Sequence, residues 1–275
     1  MSMQTRAKEN IEQKYKRLTE QYGEADGDMI LRAMIEREFP ERICVVSSFG
    51  AESAILLHKV AQIDPTVPII FLNTGKLFGE TLRYRDRLQA QLGLADIRAI
   101  APHKDDLAAT DAAGDLWQKS TDKCCYIRKV LPQARALRGF EAVITGRKRF
   151  QTNARRNMAY IEMENGATNP IATTDMTPDI AGRAAQAGGT EAAESIQRIR
   201  INPLAEHDLP ALNAYMEAHK LPRHPLVKDG YLSIGCMPCT DKVTAGGDYR
   251  SGRWADEEKE ECGIHQPDFV YGDGI

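Results

Sequence analysis

The sequence predicts an α/β protein: a mostly parallel sheet flanked by helices on both faces. Short apolar runs rich in β-branched residues alternate with longer stretches of helical pattern. Two of the predicted strands run straight into turns of small residues, Ser48-Phe49-Gly50-Ala51-Glu52-Ser53 and Asn73-Thr74-Gly75. Open parallel sheets bind their ligands at such turns, at the carboxyl ends of the strands. The 275 residues suffice for one large domain or two small ones, and 42% hydrophobic content is ordinary for a packed core.

Residues 7–22 and 28–39, rich in Glu, Lys, Arg and Leu, read as helices, and Pro40 ends the second. The first is mostly polar and is expected to cover an edge or a partner. Residues 43–47 are a buried strand, with Cys44 inside it as a core cysteine. The turn at 48–53 and the helix that follows, to about 63, form a natural phosphate cradle, because backbone N–H groups and the helix dipole face an anion there. The Gly-Lys-Ser/Thr ending of a Walker loop is missing, and an ordinary tight strand-to-helix turn would look the same.

A second strand, 67–72, leads through Asn73-Thr74-Gly75 into a helix at 78–92. A third strand at 95–100 and a short helix at 104–112 follow. Residues 122–138 read as one helix with Cys124 and Cys125 at its start, and 141–145 as a strand. That strand opens into Gly146-Arg147-Lys148-Arg149-Phe150-Gln151 and then Arg155-Arg156. Five basic residues this close together suit a phosphate or sulfate ester, or else a solvated basic loop. Strands are expected at 159–163 and 196–201 and a helix at 209–219. Between them, 164–194 shifts to Ala, Gly and Thr and reads as a surface insertion, with a weak helix at 179–187. Pro222, Pro225, Gly230 and Gly235 make an irregular path to Cys236-Met237-Pro238-Cys239.

There is no apolar run of about 18 residues for a transmembrane helix, so no membrane association is expected. The first 17 residues lack the apolar stretch of a signal peptide, which points to the cytoplasm. Reducing conditions there keep thiols free, so the six cysteines are expected as ligands or catalysts. A net charge of −3 offers no global field for nucleic acid, and any anion site must be built locally.

Four cysteines in two pairs, Cys124 with Cys125 and Cys236 with Cys239, can hold zinc or an iron–sulfur cluster. Adjacent cysteines strain to reach one small ion but can reach two irons, which favours a 4Fe–4S cluster. Arg250 and Arg253, three apart, could clamp an anion or be a solvated pair. Cys262, in Glu261-Cys262-Gly263-Ile264-His265, reads as a nucleophile on a movable tail. Five acids and one lysine at 256–261 give a local charge of −4 that opposes thiolate formation until the tail meets a basic pocket. Gly263 permits close approach, and His265 could orient or activate the thiol.

Taken together, Cys124-Cys125 with Ile127-Arg128-Lys129, Ser233 to Thr240, Arg250 to Trp254 and Glu261 to His265 are specific. The chain resembles the assimilatory adenylyl-sulfate (APS) reductases, of the family that includes phosphoadenylyl-sulfate (PAPS) reductases. The likeness runs from about 41 to 265. It implies an adenine-nucleotide α-hydrolase-like fold, with 1–255 as the nucleotide-binding reductase domain and 256–275 as a mobile tail. It implies a 4Fe–4S cluster on Cys124, Cys125, Cys236 and Cys239, and attack by Cys262 on the sulfonyl sulfur. Ser48, Phe49, Gly50, Glu52 and Ser53 match a modified phosphate loop, and Asn73, Thr74 and Gly75 an adenosine-contacting turn. Lys129, Gly146, Arg149, Arg156, Arg250, Arg253 and His265 complete the implied substrate site.

The implied reaction is reduction of APS to sulfite and AMP through a Cys262 thiosulfonate, released by reduced thioredoxin or a glutaredoxin-type dithiol. PAPS reduction, or dual specificity, is the nearest alternative. An ATP-using sulfur-insertion enzyme would need a Gly-Gly-x-Asp-Ser turn at Ser48, and a zinc-binding interaction module would leave Cys262 unexplained. Lys148 and Phe150 stand where the family has an arginine and an aspartate, Glu260 where a basic or polar residue is common, and the 164–194 segment is longer than expected. A homo-oligomer is left open.

Overall fold

The computed structural model describes residues 9–165, 197–244, 246–254 and 264. Most of the expected insertion, its helix at 179–187 included, and all of the tail except Ile264 therefore lie outside the described residues.

Asn10 caps α1 (Ile11–Tyr22) in a reciprocal box with Gln13, and Asp26 caps α2 (Gly27–Ala33). A π-helical turn, Met34–Glu38, carries the chain on from α2. Strand β1 (Ile43–Val46) leads to α3 (Ser53–Ala61), β2 (Ile69–Leu72) to α4 (Gly79–Leu92), and β3 (Ile97–Ile100) to α5 (Lys104–Thr110). The single helix expected at 122–138 is instead broken into α7 (Thr121–Cys125), a π-helical turn (Tyr126–Val130) and α8 (Leu131–Ala136), after a short α6 (Leu116–Lys119). Pro132 explains the break: it has no N–H for the carbonyl four residues back, and the turn before it widens. Then come β4 (Ala142–Thr145), β5 (Ile161–Asn165), β6 (Gln197–Ile201) and α9 (Leu209–Ala218). β5 extends two residues into the expected insertion because Glu164 pairs with Arg200 across the hairpin at 2.6 Å.

The sheet has the order β3-β2-β1-β4-β6-β5 and is parallel except for β5, which runs antiparallel to β6. Val45 sits in register with Ile69 on one side and Ile144 on the other. Side chains alternate between faces. Ile43, Val45, Ile69, Phe71, Ile144, Ile199 and Ile201 enter the main core with Leu31 of α2 and Leu57 of α3. Cys44, Ile70, Leu72 and Val143 face the other way and pack with Leu137 behind α8. Burial on both faces is what a near-continuous apolar run requires. Helix α1 packs on β5 and β6, with Lys14 donating to the Glu38 carbonyl at 2.8 Å and lying over the Phe39 ring.

This topology sets where a ligand can go. The chain lays β2 and β3 to one side of β1, then crosses to lay β4 on the other. The turn after β1 and the loop after β4 diverge at that switch point and leave a crevice. Among the described residues no helix is long and apolar enough to cross a membrane.

One buried histidine makes the frame pH-sensitive. His224 Nδ1 accepts the Leu226 N–H at 3.2 Å, and Nε2 lies 3.1 Å from Thr81 Oγ. Burial pushes its pKa down to about 4. A histidine kept neutral in the fold stabilises it above the unfolded value near 6.5, and that contribution is lost as pH falls from there to about 4. Wild-type protein should therefore lose stability over that window, by up to roughly 3 kcal/mol from this residue. In urea titrations His224→Gln should show a shallower fall, and an equal slope in both proteins would refute the assignment.

Candidate active site

The crevice is a cavity of about 200 Å³ at the carboxyl ends of β1 and β4. Its floor is the turn after β1. Ser48, Gly50, Glu52 and Ser53 line it, and Ser53 opens α3, whose N-terminus faces the space. Phe49 does not reach the wall. It is fully buried beneath the turn, edge-on to Phe71 at 5.2 Å, and it holds a left-handed φ of 50°. Its N–H donates to Ser47 Oγ at 3.2 Å. A bulky residue tolerates that conformation only where packing compels it.

Of the Asn73-Thr74-Gly75 turn, Thr74 lines the cavity. Asn73 spends its Oδ1 on the Gly75 N–H at 3.3 Å. Thr74 Oγ lies 3.2 Å from Cys236 Sγ, and its carbonyl accepts from Arg128 at 2.7 Å. Arg128 is buried and also donates to Asp111, whose other oxygen accepts the Leu116 N–H at 2.9 Å. Burial opposes the charge on Asp111, yet the Arg128 and Leu116 hydrogen bonds outweigh it and hold the carboxyl below its usual range.

The two cysteine pairs converge beside this turn. Cys124 and Cys125 are buried in α7, and Cys236 and Cys239 bracket a tight turn bridged to Leu77 and to the Lys76 carbonyl. Burial pushes the Cys124 thiol up to about 11; Arg128 pulls it down, and Cys236 and Cys239 are near enough to push it up again. Cys125 packs with Cys239, Trp254 and Ile264. Among the described residues no three His, Cys, Asp or Glu side chains form a ligand set for a metal ion.

The basic run after β4 is not one cluster. Arg147 is buried against Glu162, Asn202 and Thr145, and burial pulls its pKa to about 10. Lys148 is buried against Glu52, and Arg155 donates to Gln151 at 2.5 Å. Arg149 turns outward to Glu206 and the Met158 carbonyl, both at 2.8 Å. With exposed Arg156 and Phe150 it lines a shallower depression next to the cavity. Gly146 and Lys129 do line the cavity.

Arg250 and Arg253 line both spaces, with Trp254 between them and the cysteines. The Arg253 guanidinium lies 4.3 Å from the Trp254 ring centroid, and its Nε donates to the Cys239 carbonyl at 3.0 Å. Two glycines make this approach fit. A Cβ at Gly235 would stand 2.5 Å from the guanidinium, and one at Gly252 would stand 2.2 Å from the Asp241 carbonyl oxygen.

Ile264 lines the cavity. Cys262 and His265 lie outside the described residues. Sequence reasoning missed Tyr249 and Gln151 on the wall, and the apolar side made by Leu56, Leu72, Leu77 and Ile234. Leu56, one helical turn past Ser53, was the most readable of these.

The comparisons with known proteins agree with this architecture. A profile of the phosphoadenosine phosphosulfate reductase domain matches residues 42–242. The chain belongs to this family. It is 45% identical over 244 residues to the adenosine 5'-phosphosulfate reductase of Mesorhizobium japonicum, covering 89% of this chain and 84% of that protein. With the protein of the same name from a Chelativorans species it shares 43% identity, over 91% of this chain and 90% of the relative. The crystal structure of a PAPS reductase from Candida auris, a phosphate complex, has a TM-score of 0.61 at 22% identity, covering 87% of this chain and all of that one. That likeness agrees with the expected α/β fold, a mostly parallel sheet flanked by helices.

Proposed function

We propose that the chain reduces adenylyl sulfate to sulfite and AMP, with electrons from reduced thioredoxin or a glutaredoxin-type dithiol. The observation that carries this reading is the cavity at the switch point. A phosphate-cradling turn forms its floor and Lys129, Arg250 and Arg253 its wall, in a chain 45% identical to a protein named for this activity. In this reading the α3 N-terminus and the three cations hold the phosphosulfate, and the apolar side takes the adenine.

The Cys262 thiolate attacks the sulfonyl sulfur. The bond from sulfur to the phosphate oxygen breaks, and AMP leaves with its electron pair. Cys262 then carries a thiosulfonate. A thiolate of the dithiol attacks the Cys262 sulfur and sulfite departs with the bonding pair. The second thiol resolves the mixed disulfide, so the dithiol ends oxidised and Cys262 returns to its starting state. Lys129, Arg250 and Arg253 neutralise charge on the leaving phosphate.

Cys124, Cys125, Cys236 and Cys239 fit a 4Fe–4S cluster. They are soft donors from two segments that meet, Cys125 packing with Cys239 and Cys124 lying near Cys236 and Cys239, and an adjacent pair would serve a multi-iron cluster better than a single small ion. The cluster would supply fixed charge and a rigid wall rather than carry electrons, since the thiol steps move electrons in pairs. A second reading, acceptance of PAPS as well, is favoured by Arg149 and Arg156 in the adjoining depression, where an extra phosphate could sit.

The test is anaerobic purification, metal and sulfide analysis, and parallel assays of APS and PAPS with reduced thioredoxin. About four irons and four sulfides per chain are expected, with sulfite formed from APS. Zinc without sulfide would overturn the cluster, and no sulfite from either substrate would overturn the activity.

Gly235→Ala gives a sharper probe. The nearest atoms its methyl meets belong to the end of the Arg253 side chain, which can shift more cheaply than backbone, so stability should change by less than about 1 kcal/mol. The KM for APS should rise about tenfold, the order of one charge-assisted contact. An unchanged KM would mean that Arg253 does not touch the substrate.

A further inference from the structure

Glu52 is an odd residue for this cavity. It puts a carboxylate on the wall of a space otherwise suited to anions. Neither of its oxygens is offered to a ligand. Lys148 Nζ binds Oε2, and the Tyr249 hydroxyl donates to Oε1 at 2.6 Å. The Lys148 and Glu52 side chains are only 4% and 11% exposed. Burial and the neighbouring carboxylate together push the Tyr249 phenol well above its ordinary pKa, so it stays a hydrogen-bond donor.

These partners come from three distant segments: the turn after β1, the loop after β4, and the stretch that ends in the two arginines. The Tyr249 ring is also held from outside, where Phe150 meets it edge-on at 5.5 Å. Lys148 and Phe150 are the two positions in the basic run that depart from the family pattern, and both belong to this arrangement. Arg253 has its own tether to the Cys239 carbonyl. Near Arg250 the chain makes short-range bonds, from the Arg250 N–H to the Asp248 carboxylate and from the Gly247 N–H to the Thr244 carbonyl. Tyr249 ties this half of the segment to the turn after β1.

We propose that Glu52 is a positioning residue, which with Lys148 and Tyr249 latches the Arg250 segment over the phosphate-cradling turn. Lys148 cancels the charge of the carboxylate, and the carboxylate fixes Tyr249, so Arg250 is held in place before an anion arrives. The idea rests on the proposed activity only for the identity of that anion, a sulfonucleotide.

Tyr249→Phe tests it, because the ring and its contact with Phe150 remain while one hydrogen bond is lost. The KM for APS should rise about tenfold with kcat within about threefold. In an Arg250→Ala background the same substitution should change KM less than about twofold, since a residue acting through Arg250 has nothing left to position. Hydrogen exchange of the amides at 246–254 should speed up about tenfold in Tyr249→Phe, with β1 and β4 unchanged. Full additivity of the two substitutions would overturn the proposal, as would unchanged exchange. If wild-type protein turns over neither sulfonucleotide, the activity reading fails, and the exchange comparison still decides the latch.

Discussion

Cys262→Ser protein should fold, bind APS and make no sulfite. Sulfur attack depends on thiolate, and a serine hydroxyl offers neither its acidity nor its nucleophilicity, so turnover should fall by at least about a thousandfold. Incubation of wild-type protein with APS and no dithiol should leave a sulfonate on the peptide that contains Cys262, found by mass spectrometry. That protein should then resist alkylation until reduced thioredoxin is added. Cys44 is a poor competitor for the label, because it is fully buried in β1 and burial pushes its thiol up to about 12. The acids at 256–261 should keep Cys262 protonated near neutrality, so labelling of free enzyme should climb above about pH 8. An adduct on another cysteine, or turnover by the serine variant, would show the mechanism to be wrong. Ile264, two positions further along, lines the cavity and packs with Cys125 and Trp254.

The strands were legible because burial on both faces leaves little choice of residue. Ile43 to Val46 and Ala142 to Ile144 are apolar throughout, and the one buried polar residue of the two strands, Thr145, donates to Asn202 at the strand's end. The floor of the site was legible for the related reason that turns follow strands. Partners were not legible. Arg147 and Lys148 read as anion-binding charges, but each is matched by a carboxylate brought close only by folding: Glu162 on the antiparallel strand, and Glu52 on the turn after β1. A sequence shows a charge without showing what neutralises it. Tyr249 carried no signal at all, since its role depends on a residue 197 positions away. The break in the 122–138 helix could have been read from Pro132. Helical pattern on both sides outweighed it, because apolar periodicity passes through a π-helical turn with little change.

Asp111→Ala should be among the most destabilising single changes outside the apolar core. Arg128 is 7% exposed in its side chain and Asp111 not at all. The substitution leaves a guanidinium buried between α7 and the Thr74 turn with only the Thr74 carbonyl to satisfy it. Breaking a buried pair from one side costs about 3–5 kcal/mol, more than either hydrogen bond alone, because the remaining charge must be desolvated without compensation. The urea midpoint at pH 7 should fall accordingly. The sign of the pH effect follows from the depressed carboxyl. Its contribution is complete above the unfolded value near 4 and is lost as pH falls through the lower folded value, so wild type should lose stability below pH 4 more steeply than the variant. A second protein separates an orphaned charge from a lost contact. Asp111→Leu with Arg128→Met removes both charges and should recover part of the loss, whereas a contact-only effect would make the double variant worse than the single. Because Arg128 also holds the carbonyl of Thr74, whose hydroxyl meets Cys236, the single variant should disturb the Thr74–Cys236 contact as well. A midpoint shift worth less than about 1 kcal/mol would mean that the pair is solvated and does not brace the wall of the site.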